Sequence, residues 1–180
     1  MDTIDWGTAQ RVGEFLAGSP PDGGVLADSV QPLAEDFARR VSSYSGLTPT
    51  RELPALETVD RPHWITANLQ TMRPLMEPLA AQLGDGWSAK NWNGNLAALP
   101  AAMRGASGLL LGAQVGALTG LLSQRVLGQY DLALLDPTVT PRLLLVAPNL
   151  ALAARNLGLD RDELVVWVTI HEITHAVQFT

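Results

Sequence analysis

Leu159-Asp-Arg-Asp-Glu-Leu-Val-Val-Trp-Val-Thr-Ile-His-Glu-Ile-Thr-His-Ala-Val-Gln-Phe179 carries the pattern on which the rest of this sequence turns. Asp160, with Glu163 three residues on, makes a capping-box-like helix start. Acidic residues in a first turn also suit the helix dipole. From Leu164 to Phe179 the sequence is apolar almost all round, which predicts a buried helix. Within it stand His171, Glu172 and His175.

Residues four apart on a helix share a face about one turn apart, so His171 and His175 can reach a single ion. Two imidazoles at that spacing suit tetrahedral zinc, with Zn–N near 2.0–2.1 Å. Glu172 lies about 100° further round the helix, where it can face an open coordination position. Zinc acidifies the water it holds and polarises a carbonyl. Glu172 can take the water's proton as general base and later pass it to a leaving amine. Two imidazoles and a carboxylate are costly to bury without partners, and a divalent cation among them offsets that cost. A chance H-E-x-x-H at this composition is expected in about 0.2% of such chains, so accident is a weak explanation. The bland alternative is a pair of core histidines bonded to main-chain carbonyls.

The other candidates near the motif are weaker. Trp167 shares the histidine face and reads as core filling in preference to a wall of the site. His63, after Arg61-Pro62, reads as a surface or capping residue and not as a ligand. Gln178 stands three after the second histidine, where one zinc-hydrolase branch requires glycine, so that branch is disfavoured. A third ligand is absent from the motif and is expected beyond Thr180.

Further out, the chain has 180 residues, 47% hydrophobic and 17% charged, with no cysteine and a formal net charge of -6. That length and composition support a folded core and oppose disorder. Missing cysteine removes disulfides, thiolate zinc ligands and a thiol nucleophile. No basic patch appears, which argues against nucleic acid as a partner. The N-terminus lacks a basic segment followed by an apolar stretch, so a cytoplasmic location is expected.

Helices are predicted over Asp5–Leu16, Ala27–Tyr44 and Asp60 to about Leu83. The second carries Leu33, Phe37 and Val41 on one stripe. The third, started by Asp60 and Pro62, should kink or divide at Pro74 and Pro78. Gly18–Gly24, Ser45–Pro54 and Gly84–Asn95 read as loops, the last holding Trp87 and Trp92. Leu96 to about Leu127 reads as a long helix bent near Pro100. Gly108, Gly112, Gly116 and Gly120 lie on one ridge of it, open to close approach by another element. Charge is absent between Arg104 and Arg125, so a membrane span competes with a core helix. Ser107, Gln114, Thr119 and Ser123 interrupt the run and favour the core. Gln129–Leu135 and Arg142–Ala147 are the strand candidates, joined by a turn at Asp136-Pro137 and Thr140-Pro141. The strand around Leu143–Ala147 serves equally as a cleft edge or as a core strand. Asn149–Leu157 reads as a short helix stopped by Gly158.

Four segments together resemble one family: Gly112-Ala-Gln-Val-Gly116, Arg125-Val-Leu-Gly-Gln-Tyr-Asp131, Val146-Ala-Pro-Asn149 and His171-Glu-Ile-Thr-His-Ala-Val-Gln-Phe179. They are similar to the zincin-like metallopeptidases found mainly in actinobacteria and their relatives, with one branch linked to biosynthesis of a deazaflavin coenzyme. The resemblance implies a mainly α (α+β) fold with an H-E-x-x-H active-site helix and a small β element before it. It further implies that residues 1–180 are one domain, the N-terminal part of a longer protein. Residues 1–95 form its helical first region; residues 96–180 hold the glycine-rich helix, the strands and the metal helix. Expected with it are Zn2+ on His171 and His175, Glu172 as the catalytic base, and a peptide or small amide as substrate. The rival reading is a non-catalytic, metal-containing scaffold that uses the glycine ridge and its long apolar helix as the interaction surface.

Overall fold

The structure, a computed structural model, describes residues 3–19, 27–49, 52–90, 101–131 and 141–179. Among these are six helices: α1 (Trp6–Ala17), α2 (Ala27–Ser45), α3 (Arg61–Lys90), α4 (Ala101–Ser123), α5 (Ala147–Leu157) and α6 (Arg161–Phe179). Three strands accompany them: β1 (Leu56–Val59), β2 (Gly128–Asp131) and β3 (Arg142–Val146). The mainly helical fold with a small β element is as the sequence predicts. The chain divides into two compact units, Met1–Gly18 with Ile65–Ser123, and Ser19–Trp64 with Gln124–Thr180.

In the first unit α1 and α4 pack in contact along the glycine ridge. Asp5 caps α1, its Oδ1 accepting from the Thr8 N–H at 2.6 Å. A Cβ on Gly112, Gly116 or Gly120 would run into the main-chain oxygens of Asp5, Ala9 and Gly13 respectively. The matching steps of four show two helices running in the same direction with backbones almost touching. Such contact requires glycine, because any side chain would prise the pair apart. The opposite face of α4 exposes Leu109, Leu110, Leu118, Leu121 and Leu122. Of the core helix expected here, one face is sealed by α1 and the other is exposed. Ala106–Ser123 remains long and apolar enough to cross a membrane by length and composition.

Also in this unit, Glu77 of α3 accepts from the N–H groups of Thr3 and Ile4 and from Trp6 Nε1, at 2.9, 3.2 and 2.7 Å. Helix α3 is continuous through Pro74 and Pro78, so of the predicted kink or division the division does not occur. Pro74 and Pro78 both sit on exposed turns. The carbonyls of Gln70 and Pro74 that lose their donors can therefore turn to water. The helix also continues through the expected loop at Gly84 to Lys90. Pro100, Trp92, residues 20–24 of the expected Gly18–Gly24 loop, and Asp136, Pro137 and Thr140 of the expected turn lie outside the described residues.

The second unit holds the sheet, in the order β1-β3-β2, with β1 parallel and β2 antiparallel to β3. Leu143, Leu144, Leu145 and Val146 are all buried, so β3 is the central core strand and not the cleft edge. The edge nearest α6 is β2. Strand β1, which the sequence reading missed, pairs Leu56 through Val59 with Leu143 through Val146. Arg142 and Glu57 join the two strands by a paired hydrogen bond. The core beneath is built by Leu56, Leu143, Leu145 and Leu150 with Leu164, Val165, Val168, Ile173 and Val177 of α6. Phe37 and Val41 of α2 pack against it.

Candidate metal centre

Two tight turns aim α6. Gly158 ends α5 in a left-handed conformation (φ 65°), where glycine carries no Cβ penalty. Asp160 then caps α6, its Oδ1 accepting from the Asp162 and Glu163 N–H groups at 2.9 and 3.0 Å. The helix buries Leu164, Val165, Val168, Thr169, Glu172, Ile173, Ala176 and Val177 along one side. Its other side is open, contrary to the expectation of a helix buried all round. Trp167, 64% exposed, lies on that open side, so its reading as core filling is corrected.

His171 and His175 stand on the open side with their Nε2 atoms 3.2 Å apart. A tetrahedral zinc with bonds near 2.05 Å requires its two nitrogens about 3.3 Å apart, from the tetrahedral angle. Neutral imidazoles are also the donors zinc favours. The pair therefore fits two positions of such a site. Among the described residues no group of three or more His, Cys, Asp or Glu side chains could hold a metal ion. His63 belongs elsewhere: its ring Nδ1 sits 2.7 Å from Asp60 Oδ1 at the start of α3.

Glu172 lies among the buried residues of α6 and is only 7% exposed. Its Oε2 accepts from the main-chain N–H of Tyr130 in β2 at 3.0 Å. Burial pushes this carboxyl above the usual carboxylate range, while the two histidines and the Tyr130 N–H pull it part of the way back. A buried carboxylate with one main-chain donor is incompletely compensated, which is the condition a nearby cation relieves.

Two contributors to the site were not singled out from sequence. Gly128 in β2 lets the strand lie against Glu172: a Cβ there would sit 2.8 Å from Glu172 Cγ and 2.9 Å from Val168 Cγ1. A glycine opening a short strand is a sign of close backbone approach. The second contributor is Phe179, whose ring stacks on His175 at 6.2 Å between centroids. Its position four residues after the second histidine was the available clue.

The family described as zincin-like metallopeptidase matches the chain over residues 4–180. No curated protein matches it. Among solved structures, the chain is similar to "a putative hydrolase with a novel fold" from Chloroflexus aurantiacus, at 29% identity and a TM-score of 0.66. That similarity covers 98% of this chain and 53% of the Chloroflexus chain, so this chain spans about half the length of its structural relative.

Proposed function

Since the chain belongs to the zincin-like metallopeptidase family, we propose that it is part of a zinc-dependent hydrolase acting on a peptide or other amide bond. His171 and His175 hold the metal and Glu172 is the general base. The observation that carries this reading is the 3.2 Å approach of the two Nε2 atoms on the open side of α6. A remaining ligand then comes from outside the described residues.

Zinc, when bound, supplies Lewis acidity to a carbonyl and makes water a better acid. The chain's own residues do the rest. Tyr130 fixes one oxygen of Glu172 through its N–H, so the carboxylate cannot swing freely. The other oxygen, Oε1, keeps the lone pairs needed to accept a proton from an attacking water. A carboxyl whose proton affinity is raised by burial can hold that proton and return it to the departing amine.

The rival scaffold reading keeps only the outward leucine face of α4, since the glycine ridge is filled by α1 of the same unit. The test compares full-length wild type with Glu172→Gln, reading bound zinc and amide hydrolysis together. Both proteins should carry zinc, with hydrolysis lost only in the variant. A wild type that takes up zinc but has the same hydrolysis as the variant would refute the role of Glu172. A wild type that takes up no metal would refute the whole reading.

A further inference from the structure

Metal-binding histidines are usually oriented by a hydrogen bond from the ring nitrogen that does not face the metal, made to a carboxylate or a main-chain carbonyl. His175 lacks that device among the described residues, where its Nδ1 is buried without a hydrogen-bond partner. Both rings are held by aromatic contact. Trp167 stacks on His171 at 5.8 Å between centroids and 13° between planes. His171 meets His175 edge-on at 4.7 Å and 87°. His175 stacks on Phe179 at 6.2 Å and 22°.

These four residues recur every fourth position along one stripe of α6, so the two histidines are bracketed from both ends. Trp167 and Phe179 are 64% and 60% exposed, and large apolar rings gain little from the fold by standing in water. Stacking at these separations lies within the attractive range for aromatic pairs. A histidine turned about its Cβ–Cγ bond would carry its Nε2 away from its neighbour. A parallel ring beside it resists that turn.

We propose that Trp167 and Phe179 are positioning residues, a pair of aromatic brackets that hold His171 and His175 with their Nε2 atoms convergent for the metal. The inference rests on the metal-site reading above, and its test separates the two. Full-length wild type, Trp167→Ala, Trp167→Phe and Phe179→Ala are titrated with zinc against a chromophoric chelator. The same proteins are then loaded with Co2+ for visible absorption, and each metal-free protein is melted thermally.

Trp167→Ala should weaken zinc binding about tenfold and shift the Co2+ ligand-field bands. Phe179→Ala should act in the same direction. Trp167→Phe, which keeps a ring against His171, should recover most of the affinity and the wild-type spectrum. The metal-free melting temperatures should stay close together, because the exposed rings contribute little to the core. Wild-type affinity and an unchanged Co2+ spectrum in both alanine variants would overturn the brackets while leaving the metal site standing. A rise in KM for an amide substrate with unchanged zinc affinity would also overturn them, reassigning the rings to substrate contact. A wild type without zinc affinity would overturn the metal site and the brackets together.

Discussion

Gly128 and Glu172 are in closer contact than any other residue type at position 128 would allow: a Cβ there would stand 3.0 Å from Glu172 Oε1 and closer still to its Cγ. Strand β2 thus lies directly against the proposed general base and supplies its hydrogen-bond donor from Tyr130. Gly128→Ala should displace the carboxylate while leaving both histidines in place. Amide hydrolysis is expected to fall by at least about tenfold, since misplacing a catalytic group by 1 Å can cost about a hundredfold. Zinc content should stay at the wild-type level. Hydrolysis unchanged in Gly128→Ala would show that the position of Glu172 is not set by this contact.

Glu172 should make the metal-free protein less stable than it need be. Its folded pKa is raised, chiefly by burial. The fold therefore binds that proton more tightly than the unfolded chain does. Stability from this group is lost as pH rises from the unfolded carboxylate range through the raised folded value. At neutral pH, metal-free Glu172→Gln should be more stable than wild type by on the order of 1 kcal/mol. The amide keeps an oxygen for the Tyr130 N–H, so no partner is orphaned. Added zinc should raise the wild-type melting temperature more than the variant's, because a cation favours the ionised carboxylate.

Glu57 behaves in the opposite sense. Hydrogen bonds from Arg142 hold its carboxyl below the usual range, against an opposing effect of burial. Its contribution is present above the unfolded carboxylate pKa and is lost as pH falls through the lowered folded value. The pair is partly exposed. Glu57→Gln should therefore cost only about 0.5 kcal/mol at pH 7. The difference should shrink as pH falls below the unfolded carboxylate value of about 4.3 and close once pH has passed the lowered folded value. Denaturant melts across that pH range measure it.

Gly116→Ala tests the ridge of α4. The added methyl would collide with the main-chain oxygen of Ala9, an atom that cannot rotate aside. A loss of about 3 kcal/mol is expected, at the upper end for overpacking. Alanine is the better helix former, so a variant as stable as wild type would contradict the close packing of α1 on α4.

How much of this was readable beforehand depends on how local each cause is. The start of α6 was legible because Asp160 caps N–H groups only two and three residues on. The H-E-x-x-H spacing was legible for the same reason, and so was the glycine ridge as a site of close approach. Strand β1 was not: its four residues gain their role from β3, more than 80 positions later in the chain. The central place of β3 was undecided for the same cause, since an edge and a core strand differ only in what flanks them.

Trp167 was misread because an apolar pattern all round a helix does not say which side meets the core. Packing selects the side of Val168 and Ile173 and leaves Trp167 with the histidines outside. The donor to Glu172 is a main-chain N–H, which no residue type announces, and only Gly128 hinted at the strand lying there. Residues that could complete the metal's coordination are not among those described.

The most direct test of the histidine pair is zinc K-edge X-ray absorption on the full-length protein, purified without chelator. One zinc per chain with two nitrogen neighbours of imidazole type near 2.0 Å is expected, and His171→Ala should abolish the signal. A wild-type protein that binds no zinc, or one whose zinc shell is unchanged in His171→Ala, would contradict the assignment.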